Sequence, residues 1–224
     1  MSSGRFSRYS LRTTDAPAAT AFYESVLGHG GDQIFPLHEQ ALARGARPHW
    51  LGHIDVADPA AAAAPLLAAG GQQLGERPDG VVVLFDPGGA IVALGGVAAP
   101  SKAGVVRHVL RARDAERVAA RYAEIFGWSI GERFDLGGET YRTLAWKAGE
   151  PVAGAVGEIT EGVHPQWLFF FGVGSLAEAI SAVRARGGVV IGPSALPDGA
   201  RYTVCEDPQG AAFGLMETAG TFSQ

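Results

Sequence analysis

Two rhythms of apolar residues alternate along this chain. Residues 5–13 (RFSRYSLRT) read as a strand, and Ala19, Phe22, Tyr23, Val26 and Leu27 then recur at helical spacing. Asp15 and Pro17 are start signals for a helix from about Pro17 to Leu27, and Gly28 is a stop signal. The pattern returns at residues 107–127. With a displacement of 99 positions and no gap, Arg8 matches Arg107, Asp15 matches Asp114, Tyr23 matches Tyr122 and Gly28 matches Gly127. Val118, Ala119, Tyr122, Ile125 and Phe126 repeat the apolar stripe, so the two segments read as copies of one unit.

A second echo has a different strand. Trp50 to Gly71 matches Trp167 to Gly188 with a displacement of 117. In each, an apolar strand leads to Asp58 or Ser175, placed to cap a helix, and Ser175 with Glu178 has capping-box spacing. The pairs Gly70-Gly71 and Gly187-Gly188 suit the left-handed turn that ends a helix. Pro65 is expected to kink or shorten the helix it interrupts. Further on, DPGGA (86–90) matches DPQGA (207–211), which is turn chemistry between two strands.

Four related units result. The third continues through GWSIGERFD, GGETYRTLAWKA and PVAGAVGEI, three strands, so the unit is β-α-β-β-β. The first is short: Gly28 to Trp50 spans 22 positions where Gly127 to Trp167 spans 40, and the missing 18 are the place of a strand hairpin. Its segment His38–Gly45 reads as a short helix or loop. Residues 97–104 (VAAPSKAG) read as a linker, which divides the chain into domains at 1–97 and 104–224.

This arrangement resembles the vicinal oxygen chelate superfamily of glyoxalase I, bleomycin-resistance proteins and extradiol dioxygenases. The resemblance is carried by the repeated unit, the FYESVLG and RYAEIFG helix ends, the paired strand–helix–Gly-Gly segments and the closing DPGGAIVAL and DPQGAAFGL strands. It covers almost the whole chain. It implies an α+β fold in which four β-α-β-β-β units pair into two cup-shaped mixed sheets with helices outside, the first unit being shortened. In that family the units can be exchanged between domains or chains. With a short first unit, the first cup is expected to be open or completed by a partner chain, as in a homodimer.

The resemblance also implies a divalent metal at the cup floor in the catalytic members, and this chain departs from that pattern. The first-strand ligand positions, seven residues before the helix cap, hold Arg8, Leu51, Arg107 and Leu168; the closing-strand positions hold Ala93 and Gly214. Leu, Ala and Gly offer no side-chain donor, and Arg is a permanent cation. Gln33 and Glu158 are nearby donors, but one ligand does not make a site. The expectation is therefore no cofactor. The alternative is one divalent metal such as Zn, Ni, Mn or Fe.

Strand alternation assigns faces. Trp50, Ile54 and Val56, like Trp167, Phe169, Phe171 and Val173, should pack on the helices. The opposite face should line the cups, with His49, Leu51, His53, Asp55, Arg8, Ser10 and Arg12 in the first. Leu168, Phe170, Gly172, Arg107, Val109, Arg111 and Arg113 line the second. Arg8 and Arg107 are the expected anion contacts, since a guanidinium can fork onto a carboxylate or phosphate. His53 is a further candidate: with Asp55 and His49 it could form an off-register metal or acid–base site, or a hydrogen-bonded polar cluster at the cup rim. Phe170 and Tyr141 are candidate aromatic walls, and Trp146 and Tyr202 are strand aromatics of the same kind.

Composition narrows the partners. Among 224 residues the net charge is −5 and no Lys/Arg-rich run appears, which argues against nucleic acid. No apolar run approaches the ~18 residues of a membrane span. No signal peptide is evident at MSSGRFSRYSLR, so a cytoplasmic protein without a membrane partner is expected. The single cysteine, Cys205, excludes an intramolecular disulfide and reads as a small buried hydrophobe. His164 reads as an exposed turn residue.

Two functions compete. One is a metal-free protein that binds a small organic molecule, anionic or aromatic, in a cup. The other is a metal-dependent lyase, isomerase or dioxygenase of the same superfamily. A scaffold whose sheets serve an interface is a third, marked by filled cups and an exposed apolar patch.

Overall fold

The computed structural model describes residues 3–28, 33–76, 79–95 and 104–218. The expected linker at 97–104 lies outside the described residues except for Gly104. The first segment gives β1 (Phe6–Thr13), α1 (Ala16–Leu27), β2 (Ile34–Pro36) and α2 (Glu39–Ala43). The second gives β3 (His49–Ile54), α3 (Pro59–Ala68), β4 (Gln72–Glu76), β5 (Val82–Phe85) and β6 (Ile91–Leu94). The third gives β7 (Val105–Ala112), α4 (Ala115–Phe126), β8 (Ser129–Leu136), β9 (Glu139–Ala145) and β10 (Gly154–Glu158). The fourth gives β11 (Gln166–Val173), α5 (Leu176–Ala185), β12 (Val189–Ala195), β13 (Arg201–Glu206) and β14 (Ala212–Glu217).

Two curled mixed sheets carry these helices outside them. One has the strand order β2-β1-β3-β6-β5-β4, the other β12-β13-β14-β11-β7-β10-β9-β8. Among the described residues the smaller sheet has six strands and the larger eight, because the first segment adds only the three-residue β2, parallel to β1 as β10 is to β7, and has no counterpart of β8 and β9. None of the helices among the described residues is long and apolar enough to cross a membrane.

The helix ends follow the side chains placed there. Asp15 accepts from Ala18 N at 3.0 Å, Asp58 from Ala61 N at 2.9 Å and Ser175 from Glu178 N at 3.3 Å. Asp114 departs from its match with Asp15. It sits at φ 51° and makes no side-chain cap. Glu158, from the end of β10, caps α4 instead, accepting from Asp114 N at 2.8 Å and Ala115 N at 2.9 Å. Glu217 does the same for α5 through Leu176 N at 3.0 Å. Each such carboxylate meets unpaired N–H groups and the positive end of a helix dipole.

Pro65 does not shorten α3, which runs through it to Ala68 and matches α5 at 10 residues. Each Gly-Gly pair divides two tasks. Gly70 and Gly187 take the left-handed turn at φ 107° and 81°. Gly71 and Gly188 allow close approach: a Cβ there would lie 2.8 Å from the carbonyl oxygen of Phe85 or Glu206.

Contacts gather the chain into two compact units. The first joins Met1–Tyr9, Leu51–Ser101 and Arg107–Leu168; the second joins Ser10–Trp50, Lys102–Val106 and Phe169–Gln224. In the first unit α3 and α4 pack together, and aromatic rings dominate the core. Phe6 meets Trp167 at 4.9 Å, Tyr122 stacks on Trp128 at 4.9 Å, and Trp128 meets Trp146 at 5.0 Å. In the second unit α1 packs on α5, and Trp50 lies between Tyr23 at 5.1 Å and Phe171 at 4.9 Å. Burying one such ring stabilises by about 1.5–3 kcal/mol, so these clusters are major contributors to each core. Leu27, Ile125 and Phe126, placed on the apolar stripes by spacing, are only half-buried at the helix ends.

Candidate functional site

In the first unit two of the family's ligand positions, Leu51 and Ala93, are packed in hydrocarbon. Both are buried in one apolar cluster with Val81, against which Val83 and Ile91 pack. Arg8 lies beside this cluster's strands and reaches His53, its Nη2 2.9 Å from Nδ1. A guanidinium only donates, so Nδ1 accepts and the ring proton is on Nε2. Asp55 accepts from Ser3 N at 2.8 Å, anchoring the N-terminal segment. Arg107 Nη1 donates to the carbonyl oxygen of Val152.

Four residues of the same unit form a second polar cluster. Arg111, on β7, forks onto Glu139 at 2.7 and 2.9 Å. Tyr141 OH accepts from Arg111 at 2.6 Å and donates to Glu139 at 2.5 Å, and Thr160 adds a bond at 3.1 Å. These bonds, Arg111's first, hold the Glu139 carboxyl below the usual range despite an opposing effect of burial. The Tyr141 ring stacks with Phe134 at 5.7 Å and covers Gly157, where a Cβ would stand 2.6 Å from it. Arg111 and Tyr141 are among the residues that the sequence alone assigns to the second cup. Glu139 was not singled out, although alternation places it on the face of Tyr141.

In the second unit Phe170 is 5 % exposed and lies in register with Gly214. Its ring occupies the space a Cβ on Gly214 would need, so Phe170 fills the place of the closing-strand ligand. Tyr202 meets it edge-on at 5.8 Å. Leu168 is buried in the first unit. His49 sits in the second unit, its Nδ1 2.7 Å from the carbonyl oxygen of Arg47. His164 is exposed, and Cys205 is buried, with its thiol pushed up to about 12 by burial. Among the described residues no group of three or more His, Cys, Asp or Glu could hold a metal ion.

The buried polar groups that spacing did not reveal lie on the helix side. Tyr122 OH donates to Asp86 at 3.0 Å and accepts from Trp167 Nε1 at 3.3 Å. Tyr23 repeats this with Asp207 at 3.1 Å and Trp50 Nε1 at 3.0 Å. The two aspartates are the turn residues of DPGGA and DPQGA. Each also accepts backbone N–H groups of its own turn, Asp86 from Gly88 and Ala90, Asp207 from Gln209 and Ala211. Burial pushes Asp86 up to about 6 and raises Asp207, against the pull of these bonds. Tyr9 OH lies 2.6 Å from Nε2 of His108, whose Nδ1 lies 3.2 Å from the Ala153 carbonyl oxygen. Burial pushes His108 down to about 4, so its ring is neutral at physiological pH.

Comparison with known proteins bears on the family and the fold. The family model described as Glyoxalase/Bleomycin resistance protein/Dioxygenase superfamily matches residues 104–215. "Putative glyoxylase CFP32" of Mycobacterium bovis is 28% identical over 244 aligned positions, covering 93% of this chain and 93% of that protein. The homoprotocatechuate 2,3-dioxygenase of Brevibacterium fuscum superposes with a TM-score of 0.66 at 16% identity, covering 96% of this chain and 80% of the other. The 2,3-dioxygenase LapB from Pseudomonas sp. KL28 gives 0.63 at 16%, covering 97% and 93%. A Mn(II)-bound glyoxalase from Novosphingobium aromaticivorans gives 0.60 at 14%, covering 98% and 83%. These three structures share the fold with this chain.

Proposed function

The chain belongs to the glyoxalase/bleomycin resistance protein/dioxygenase superfamily, and within it we propose that this member works without a metal and binds a small organic molecule, anionic or aromatic. The observation that carries this reading is the filling of the ligand positions. A metal site needs several N, O or S donors converging on one cation, with a position left open for substrate. Leu51 and Ala93 are part of a closed apolar cluster, and the Phe170 ring covers Gly214. The residues at these places do not fit the superfamily's metal, and Arg8 and Arg107 add positive charge where a cation would have to sit.

The same substitutions favour an organic ligand. Arginines attract carboxylate or phosphate, and the partly exposed rings of Tyr141 and Tyr202 suit flat molecules. No reaction step is assigned to these residues. A thermal-shift screen of small carboxylic acids and aromatics on the full chain tests the reading. A ligand at 100 times its Kd stabilises by about 2.7 kcal/mol, which such a screen resolves. Stabilisation by organic acids that is weakened in Arg8→Gln or Arg107→Gln is expected. Stabilisation by Zn, Ni, Mn or Fe salts alone, with no organic ligand found, would replace this reading with that of a metal-dependent lyase, isomerase or dioxygenase.

A further inference from the structure

At the first position of β3 the fold leaves a hydrogen-bond acceptor unmet. A carbonyl only accepts, so the contact of His49 Nδ1 with the Arg47 carbonyl places the ring proton on Nδ1. Nε2 is then the lone-pair nitrogen. It is buried and has no hydrogen-bond partner among the described residues. Burial, aided by the charge of Arg12, holds this imidazole below its ordinary pKa, which keeps Nε2 an acceptor at neutral pH. A buried acceptor left unmatched costs about 1–3 kcal/mol, which an O–H or N–H of a bound molecule would relieve.

The neighbouring strands fix what else such a group would meet. In the sheet order β1 lies between β2 and β3, and Arg12 of β1 pairs in register with Phe35 of β2. The Arg12 guanidinium stands 4.8 Å over the Phe35 ring, and Phe35 is 37% exposed. A ring face, a fixed cation and an unmet acceptor therefore stand on three adjacent strands, all within the second compact unit. β2, the last strand on this side of the smaller sheet, has only three residues and is partly exposed.

Chemistry narrows the occupant. A bare carboxylate cannot serve Nε2, because both only accept. A metal ion there would face the Arg12 cation, and no group of three donors is found among the described residues. A molecule with a hydroxyl beside an acid group serves both partners. We propose that Arg12, Phe35 and His49 form a binding site for a small hydroxylated organic acid. Its hydroxyl donates to His49 Nε2, and its carboxylate and flat body rest on Arg12 and Phe35. This rests on the reading that the protein binds a small organic molecule, and it names the place and the class.

The test is calorimetric titration of the full chain with 4-hydroxybenzoate and, as the matched acid without the hydroxyl, benzoate. The hydroxy acid should bind about tenfold tighter, the worth of one hydrogen bond to an otherwise unmet acceptor. His49→Phe should bring the ratio near one, and Arg12→Gln should weaken both acids, with thermal denaturation confirming that each variant is folded. In the unaltered protein the His49 Nε2 nitrogen resonance should move on adding 4-hydroxybenzoate and stay in place with benzoate, a readout that needs no variant. Equal affinity for the two acids, or a ratio unchanged in His49→Phe, would overturn this site and leave the general ligand reading standing. Binding of neither acid would overturn the site as well. The general reading falls with it only if the wider screen of acids and aromatics is also blank.

Discussion

Replacing His108 by phenylalanine should reverse its effect on stability between neutral and acid pH. The ring itself is replaceable: His108 stacks on Phe6 at 5.2 Å and meets Trp146 edge-on at 4.9 Å, contacts a phenyl group can keep. What is lost is the acceptor for Tyr9 OH, in a residue that is 7% exposed. Losing that buried hydrogen bond costs about 0.5–1.5 kcal/mol at pH 7. The native histidine carries its own penalty in acid. Its folded pKa is about 4 against an ordinary 6.5, so between those values the unfolded chain binds a proton that the folded chain does not. Stability is then lost as pH falls from 6.5 through 4. Each unit of pKa is worth about 1.4 kcal/mol, so the loss reaches about 3 kcal/mol. His108→Phe has no such loss. Urea denaturation of both proteins at pH 7.5, 6, 5 and 4 should show the variant weaker at 7.5 and equal or stronger at 4. Other groups titrate alike in both proteins and cancel in the difference. A difference that stays constant from pH 7.5 to 4 would refute the assignment of a buried neutral histidine bound to Tyr9.

Asp86 should behave in the opposite sense. Its folded pKa, raised to about 6 from 3.8, destabilises the folded state above pH 6 by about 3 kcal/mol, so the native protein should gain that amount over Asp86→Asn as pH falls from 7 to 4 in the same titration. Tyr23→Phe and Tyr122→Phe each remove a hydroxyl between a tryptophan and a buried aspartate, and both should lower stability to urea by about 1–3 kcal/mol, by similar amounts. Gly214→Ala places a methyl group against the Phe170 ring and should cost about 1–3 kcal/mol in the same assay, relieved when combined with Phe170→Ala. Glu158→Gln keeps an acceptor for the α4 N-terminus but removes its charge, so a loss of only about 0.3–1 kcal/mol is expected, diminishing in high salt.

The fold was legible because its signals are local. Asp15, Asp58 and Ser175 start helices, Gly28 and Gly127 end them in left-handed turns, and the DP turns close hairpins, all through groups a few residues apart. The short first segment was readable as a loss of length between Gly28 and Trp50. Where one distant partner could replace another, position was a weaker guide. Asp114 holds the capping place of α4, yet Glu158, 44 residues away, takes the role. Pro65 was expected to kink or shorten α3, which nevertheless runs through it to Ala68, since a proline removes only one N–H from the ladder and α3 has packing on α4 to hold it.

The candidate site was legible as a set of absences. Leu51, Ala93, Leu168 and Gly214 carry no ligating atom whatever surrounds them. What fills the space instead depends on long-range packing, such as the Phe170 ring over Gly214 and Val81 against Leu51 and Ala93. The Tyr–Asp–Trp sets show the same limit. Each of their residues belonged to a recognised echo, Tyr23 with Tyr122, Trp50 with Trp167, Asp86 with Asp207. Only the tertiary structure shows that Tyr23 meets Asp207 and Tyr122 meets Asp86.

The central claim is that the superfamily's metal positions have been given over to packing and to arginine. Elemental analysis by mass spectrometry, on protein purified with neither added metal nor chelator and without a histidine tag, tests it most directly. The account predicts Zn, Ni, Mn and Fe far below one equivalent per chain. One equivalent of any of them, retained through gel filtration, would contradict it.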